Sequence, residues 1–424
     1  MASKTGGWDH AAEVLAEGHL IDSGTMSRIL DQIVLHGGRF EILDFRMGRT
    51  NQEVSSARLK IRTQNEGSLE IILERLHDLG CRRGRLESVR LVPAPLDGAA
   101  PEDFYSTTNH PTFVRDSGKE IPVERQRMDS VLVVAGGRAR CVKLRDVRRG
   151  DPVVCGIEGV RVERPARDRD RSDFGFMQND VSSERLVHLA VNKLGRDILE
   201  LRRRAEEKGE ARAAVAVVAG PVVVHTGAAE SLAWLLKEGY VRSLLAGNAL
   251  AVHDLERHLF GTSLGISEET GRPVEEGHRN HMRAINAARL NGGIKGLVDK
   301  GLLTGGIFHA CVTSGVPFVL AGSIRDDGPL PEVITEMNRA QEAYAEALEG
   351  IDLVLILATM LHGIGVGNMI PSTVTTVCVD IHSPVVTKLS DRGSSQTLGV
   401  VTDVGLFLRL LREEIRSGAA GSVQ

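Results

Sequence analysis

Short, mostly apolar runs without strict alternation recur through the second half of the chain, and stretches of helical periodicity separate them. Strands that are buried on both faces of a parallel sheet show such runs rather than strict alternation. The pattern therefore predicts an α/β domain built on a Rossmann-like parallel sheet. The runs are AVAVVAG (214–220), VRSLLAG (241–247), PFVLAG (317–322), DLVLILA (352–358), VTTVCVD (374–380) and LGVVTD (398–403).

The first part of the chain has a different pattern, in which two helical stripes alternate with short strands. Their order, βαββαβ, predicts a ferredoxin-like α+β unit, a fold common among small amino-acid-sensing and oligomerising modules. The second strand includes a one-residue slip between Ile42 and Phe45. The helical stripes lie at 26–34 and 69–79, and the strands at 14–20, 40–47, 57–61 and 89–91.

Between these two parts, the pattern predicts a small β-rich module. Residues 128–162 alternate strands with glycine turns, and residues 93–104 have the Pro, Ala and acidic content of a linker. A solvated charged loop is expected at 164–173. The predicted domains are a ferredoxin-like domain (1–110), a β-rich module with linker (111–175) and a Rossmann-like catalytic domain (176–424).

Composition narrows the partners of the protein. A net charge of −4 provides no field that attracts nucleic acid or acidic membranes, and aromatic residues make up only 4% of the chain. No apolar run approaches the length of a membrane span, and no signal peptide is apparent. The five cysteines are scattered without zinc-binding spacing. These features predict a cytoplasmic protein that binds small molecules, with no metal, nucleic acid or membrane partner.

The usual dinucleotide fingerprint GxGxxG is absent. The most similar segment, GIGVG (363–367), is separated from its strand by TMLH (359–362). Two interpretations are open: the segment contacts a pyrophosphate, or it lies where a helix packs against a strand. Two interpretations are also open for the loop HTGA (225–228). Either its backbone amides face an anion, or Thr226 serves as a helix cap.

Polar residues follow several of the predicted strands, at the edge where open α/β sheets bind ligands. Asn248 follows the second strand and either turns the chain in the left-handed region or hydrogen-bonds a ligand. Thr359, Met360, Leu361 and His362 follow the fourth strand, and Asp380 ends the fifth. A carboxylate there accepts hydrogen bonds from the ribose hydroxyls and repels a 2′-phosphate, which favours NAD over NADP.

The segment AGSIRDDGPLPEVI (321–334) combines Arg325 with Asp326 and Asp327 after a strand. Amino-acid chemistry needs a base for an amine and an anchor for a carboxylate, and this loop has both. The alternative interpretation is a helix cap, with the acids preceding a helix at PEVITEM. The segment EEGHRNHMRAIN (275–286) has no ligand set at zinc spacing, and a basic helix start over a substrate carboxylate is the favoured interpretation.

Several long motifs resemble a known family. Residues 18–49 are similar to the conserved region of the lysine-ketoglutarate reductase/saccharopine dehydrogenase bifunctional enzyme. Four later segments resemble the archaeal ornithine cyclodeaminases and the carboxyl-terminal part of the cyanobacterial arginine dihydrolase fusion enzymes. These are LLAGNALAVHDLERHLFGTSLG (244–265), GVPFVLAGSIRDDGPLPEVITE (315–336), LATMLHGIGVGNMIPS (357–372) and VTKLSDRGSSQTLGVVTDVGLF (386–407).

The resemblance implies a dinucleotide domain similar to that of deoxyhypusine synthase, with NAD as cofactor. One departure from the family is His382, where Asn is expected, and any side-chain contact from that position is in doubt. With no arginine dihydrolase domain upstream, the reaction is expected to start from ornithine. The cofactor contacts that the resemblance implies are Asn248, Ala249, Asp327, Thr359, Met360, Leu361, His362, Asp380, Asp403 and Val404.

The implied reaction converts L-ornithine to L-proline and ammonia by removal of a hydride, cyclisation and return of the hydride. Asp326 is the expected proton-transfer group, and Arg325 or Arg279 the expected carboxylate anchor. Two alternatives are a saccharopine-type dehydrogenase and a non-catalytic regulator that binds NAD and an amino acid. A homo-oligomer, dimer or tetramer, is also expected.

Overall fold

The computed structural model describes residues 8–18, 20–21, 24–48, 53, 55–83, 88–163, 183–263, 266–267, 280–326, 328–392 and 397–421. The chain forms two compact units. The first comprises Met1–Gln178 with Pro371–Thr373, and the second Asn179–Ile370 with Val374–Gln424. Within the described ranges, no helix is long and apolar enough to cross a membrane.

The first unit opens with a four-stranded antiparallel sheet in the order β2-β3-β1-β4. The alternating residues Ala57, Leu59 and Ile61 of the central strand are fully buried against two helices. The ferredoxin-like order βαββαβ is thereby confirmed. The elements are β1 (His10–Gly18), α1 (Thr25–Leu35), β2 (Arg39–Arg46), β3 (Ser55–Thr63), α2 (Glu66–Asp78) and β4 (Arg82–Arg83).

The slip predicted in the second strand is confirmed, because the register of β2 on β3 shifts between Ile42 and Asp44. The predicted last strand is wrong. The strand that closes this sheet is the two-residue β4, too short to give a periodic signal, and the segment near Val89 and Leu91 pairs with a different sheet.

That different sheet has seven strands in the order β11-β6-β7-β9-β8-β10-β5. Gly136 and Gly137, both with positive φ, form the tight turn between β8 and β9. The β-rich module is confirmed. Its strands are β5 (Arg90–Pro93), β6 (Thr112–Asp116), β7 (Lys119–Glu124), β8 (Val131–Ala135), β9 (Arg138–Val142), β10 (Pro152–Cys155) and β11 (Val160–Val162), with a 3-10 turn at Leu144–Asp146.

The linker interpretation of residues 93–104 is wrong. Pro93 belongs to β5, Ala94 is buried in a cluster with Val131 and Val153, and Phe104 forms a β-bridge with Cys155. Proline and small residues are frequent in linkers, but here they form the irregular edge of a packed sheet. The charged loop expected at 164–173 lies outside the described residues.

The second unit begins with a long helix and continues with alternating strands and helices. Its strands are β12 (Val215–Ala219), β13 (Ser243–Gly247), β14 (Thr262–Ser263), β15 (Ile266–Ser267), β16 (Phe318–Ala321), β17 (Val333–Ile334), β18 (Leu353–Leu357), β19 (Thr375–Asp380) and β20 (Thr397–Val401). Its helices are α3 (Ser183–Glu207), α4 (Val222–His225), α5 (Ala229–Lys237), α6 (Asn248–Phe260), α7 (Asn280–Asn291), α8 (Ile294–Asp299), α9 (Ile307–Ser314), α10 (Met337–Ala347), α11 (Met360–Met369), α12 (Ser383–Arg392) and α13 (Val404–Gly421).

The sheet of this unit has the order β17-β16-β13-β12-β18-β19-β20, and every pairing is parallel. The side chains of β12 and β18 are buried along their whole length, which explains the apolar runs without alternation. The Rossmann-like parallel sheet is confirmed. Its strand order reverses direction between β12 and β18, and ligands bind at such a switch point in open α/β sheets.

Candidate active site

Two close backbone approaches lie at the switch point, where open α/β sheets have their ligand crevice. Gly220 N donates to Leu357 O at 2.9 Å, so the chain leaving β12 is tied to the end of β18. A Cβ at Gly220 would overlap the carbonyl oxygen of Ala358. Ala358 itself has a φ of 48°, a left-handed conformation that costs about 1 kcal/mol for a residue with a side chain. Strain of this kind is typical of functional turns.

Beyond Ala358, the N-terminus of α11 faces the crevice. Its N-cap residue, Thr359, is extended and makes no side-chain capping bond. The first amides of a helix have no intrahelical acceptor, and together with the helix dipole they favour an anion. The side chains of Met360 and Leu361 are exposed. This end of α11 therefore has the free amides of an anion-binding helix terminus.

His362 follows β18 and lies near the end of β13 and the loop after β16. Its Nδ1 lies 3.3 Å from Thr359 Oγ1, and its Cε1 would lie 2.8 Å from a Cβ at Gly247, so a larger residue at the end of β13 would displace the imidazole. Burial lowers the pKa of His362, while the charge of Asp326 raises it. The net pKa is lowered, and the imidazole is neutral near pH 7, able to accept a proton or a hydrogen bond.

The loop after β16 places Asp326 at this edge. Asp326 Oδ2 accepts a hydrogen bond from Ser323 N at 2.8 Å, and Arg325 N donates to Ser323 Oγ at 3.1 Å. The alternative of a helix cap at this loop is wrong. Residues 333–334 form β17 rather than a helix, and α10 begins only after Glu336, which caps it. Asp327 and Arg279 lie outside the described residues.

Asn248 starts α6 and holds the same loop. Its side chain is buried, and its Oδ1 accepts from Leu330 N at 3.0 Å. The interpretation of Asn248 as a left-handed turn residue is wrong, because it has helical geometry. Ala249, the next residue of the helix, is half-buried.

Two acids follow the strands on the other side of the crevice. Asp380 is 9% exposed, and its Oδ1 accepts from His382 N at 2.8 Å in an Asx turn. The imidazole of His382 is exposed. Asp403 caps α13 by accepting from Leu406 N at 2.8 Å, and Val404 is buried. Both acids therefore have a local backbone partner.

The chain matches known protein families from residue 11 to residue 411. Residues 193–411 match the family described as arginine dihydrolase ArgZ-like, C-terminal, Rossmann fold. Residues 111–191 match the first region of the same C-terminal part, and residues 11–110 match the LOR/SDH bifunctional enzyme conserved region. The Rossmann match alone spans more than half of the sequence.

An ornithine cyclodeaminase from Archaeoglobus fulgidus is 50% identical over 406 residues, which are 96% of this chain and 98% of that protein. The chain belongs to the ArgZ-like ornithine cyclodeaminase family. Apo ArgZ, an arginine dihydrolase from the cyanobacterial ornithine-ammonia cycle, is 40% identical with a TM-score of 0.82, over 97% of this chain and 59% of ArgZ. The ternary complex of AgrE with ornithine and NAD⁺ is 43% identical with a TM-score of 0.53, over 97% of this chain and 58% of AgrE.

In this ArgZ-like protein, the structure decides between the alternatives for two glycine-containing motifs. GIGVG (363–367) lies inside α11, so its glycines do not form a phosphate loop. The helix–strand packing interpretation is confirmed, because Val366 is fully buried in a core cluster with Val354 and Ile356 of β18. In HTGA (225–228) the amides of the last three residues donate to α4 carbonyls, and Thr226 Oγ1 donates to Val222 O. The anion-binding interpretation of HTGA is therefore wrong. The interpretation of Thr226 as a helix cap is confirmed, and the helix that it caps is the preceding α4, at its C-terminus.

The structure of this family member brings Asp326 and His362 together at the edge that Gly247 and Asn248 also form. The sequence did not indicate Gly220, Ala358 or Gly247, whose importance comes from close backbone approach. The only available signal was the small residue that ends the apolar runs 214–220, 241–247 and 352–358.

Proposed function

We propose that the protein is an NAD-dependent ornithine cyclodeaminase that converts L-ornithine to L-proline and ammonia. The observation that carries this proposal is the identity of 50% with the ornithine cyclodeaminase of Archaeoglobus fulgidus over nearly the full length of both chains. The complex of the related AgrE with ornithine and NAD⁺ supports the choice of substrate and cofactor.

The residues at the switch point fit NAD. The uncapped N-terminus of α11 suits the pyrophosphate, and Asp380 suits the ribose hydroxyls and disfavours NADP. When bound, NAD supplies the acceptor and donor of a hydride. We assign the cofactor contacts to Asn248, Ala249, Asp327, Thr359, Met360, Leu361, His362, Asp380, Asp403 and Val404.

Side chains of the protein would transfer the proton and bind the substrate carboxylate. An amine with a pKa of about 10 must lose a proton before it attacks a carbon atom. We assign this proton transfer to Asp326, whose carboxylate lies near the neutral imidazole of His362. We assign the substrate carboxylate to Arg325, because a guanidinium binds a carboxylate through two parallel hydrogen bonds.

Identification of the product tests this function. Purified protein is incubated with ornithine and a catalytic amount of NAD, and the product is identified by mass spectrometry. We expect proline and ammonia, with no net accumulation of NADH. Accumulation of NADH would support a saccharopine-type dehydrogenase instead. Binding of a basic amino acid without turnover would support a non-catalytic regulator.

We also propose a homo-oligomer, dimer or tetramer, that works in the cytoplasm in proline biosynthesis. The edge strand β2 exposes Phe40, Ile42 and Phe45, apolar groups that a second copy would cover. All five cysteines are free and buried, as is common in a reducing compartment. The domain limits proposed from the sequence are 1–110, 111–175 and 176–424. The family matches also divide at residue 110, although the strand β5 before that limit pairs within the sheet of the β-rich module.

A further inference from the structure

Two histidines and a glutamate converge in the second unit, separate from the groups assigned above. His253 and Glu256 lie one turn apart on α6, and His281 is the second residue of α7. Glu256 Oε2 lies 3.5 Å from His253 Nδ1 and 4.0 Å from His281 Nδ1. One ligand atom from each residue lies within 4.8 Å of the other two. The Glu256 side chain has no exposed surface.

We propose that His253, Glu256 and His281 bind one Zn²⁺ ion, with a water molecule in the fourth position. Two imidazole nitrogens and one carboxylate oxygen form a ligand set that zinc uses when it retains an open position. Bonds of about 2.1 Å place tetrahedral ligand atoms roughly 3.4 Å apart, so these side chains need to move by only about 1 Å. The inference does not depend on the proposed function.

The carboxylate is held in the orientation that this site requires. Thr262 Oγ1 donates to Glu256 Oε1 at 2.9 Å, which leaves Oε2 directed at the two imidazoles. Asn280 Nδ2 donates to Thr262 Oγ1 at 3.0 Å, and Arg283 donates to Asn280 Oδ1 at 3.0 Å. Outer hydrogen bonds that fix a ligand in this way are a regular feature of metal sites.

A third imidazole lies beside the two proposed nitrogen ligands. The ring of His225 lies 4.7 Å from that of His253, which in turn lies 5.1 Å from that of His281. Imidazole nitrogens therefore predominate among the donor groups around Glu256.

Nitrogen ligands also select the kind of ion. Mg²⁺ and Ca²⁺ prefer sites formed wholly of oxygen, whereas imidazole suits Zn²⁺ and other transition metals. Among the residues that the structure describes, this cluster is the one in which three such ligands meet. His258 on the same helix provides a contrast, because its Nε2 lies 3.9 Å from the buried carboxylate of Asp254 without a third ligand.

Metal binding is measured directly on the full chain. Protein treated with a chelator and dialysed is titrated with Zn²⁺ by calorimetry, and Co²⁺ is used in a parallel titration to record its visible spectrum. We expect about one equivalent of zinc and the intense absorption of tetrahedral cobalt. Glu256→Gln and His281→Gln should each weaken zinc binding by at least about 100-fold, and Thr262→Val by about 10- to 100-fold.

His258→Gln is the matched control and should bind zinc as the unchanged protein does. Calorimetry with NAD and circular dichroism show whether each variant is folded. The proposal is overturned if the chelator-treated unchanged protein takes up no zinc. It is also overturned if folded Glu256→Gln and Thr262→Val variants bind zinc with unchanged affinity.

Discussion

Asp380 accepts a hydrogen bond from His382 N through one carboxylate oxygen, and it lies at the end of a strand that is buried from its second residue onward. Its second oxygen is therefore the one assigned to the cofactor. Asp380→Ala should weaken NAD binding by about 10- to 100-fold, because a hydrogen bond to a charged group contributes about 1.5–3 kcal/mol. The ratio of NAD affinity to NADP affinity should also decrease, because the repulsion of a 2′-phosphate is lost. Calorimetry with both cofactors measures this change.

Asp380→Asn is the control that keeps the size and shape of the side chain. It keeps the Asx turn with His382 but removes the charge, so it should lose most of the cofactor preference with little change in melting temperature. Equal or tighter binding of NADP than of NAD by the unchanged protein would contradict the assignment of Asp380.

Asp326 is predicted to act on the substrate rather than on stability. An Asn at this position can still accept from Ser323 N, so Asp326→Asn should lower turnover by about 10²- to 10⁴-fold at a nearly unchanged melting temperature. Glu336→Ala is the matched control, because Glu336 caps α10 through Asn338 N and Arg339 N. It should cost about 0.5–2 kcal/mol of stability and leave turnover intact. Near-normal turnover of Asp326→Asn would refute its role.

The buried side chain of His77 is expected to make the stability of the first unit depend on pH. It is buried against Tyr105, and burial lowers its pKa from 6.5 to about 4. Between these values the unfolded chain takes up a proton that the folded chain does not. Stability should therefore fall by about 3 kcal/mol as pH drops from 6.5 to 4. Hydrogen exchange of the α2 amides in denaturant, followed by mass spectrometry, reports this change.

His77→Gln should remove this part of the pH dependence, because the replacement does not titrate. Tyr105→Phe keeps the buried neutral imidazole and should retain it. The same pH slope in His77→Gln as in the unchanged chain would show that other groups cause it.

The burial and length of each helix or strand determine whether it could be predicted from the sequence. Six of the seven strands of the parallel sheet could be predicted, because each is a mostly apolar run without alternation. That pattern is clearest in β12 and β18, which are buried along their whole length. β4 and β17 could not, because two residues have no period. Residues 93–104 were misjudged because their composition is typical of linkers, whereas tertiary packing decides their structure.

The candidate site was only partly predictable for a similar reason. Residues at strand ends, such as Asn248 and Asp380, follow directly from the strands. The close approach of His362 to Gly247 joins a residue of α11 to the end of β13, and no linear spacing reveals it. The same holds for His281, which meets His253 and Glu256 from another helix. The sequence therefore indicated no metal site.

The switch-point turn allows a prediction about an element as a whole. Gly220→Ala places a Cβ against Ala358 O, so the turn that leads into α11 must shift. We expect NAD affinity to fall by at least about 10-fold, since a displacement of about 1 Å is costly at a preorganised site. Gly367→Ala, in open space two turns along α11, should bind NAD normally. Unchanged NAD affinity in folded Gly220→Ala would contradict this account of the turn.

At the scale of the whole molecule, the central claim is that the reaction is redox-neutral, because the hydride removed from ornithine is returned to the product. The most direct measurement uses ornithine deuterated at the α-carbon, with a catalytic amount of NAD and mass spectrometry of the proline. Complete conversion to proline that keeps deuterium at the α-carbon is the predicted result. Proline with solvent hydrogen at that carbon, or conversion that stops after one equivalent of NAD, would contradict hydride return and support the dehydrogenase alternative.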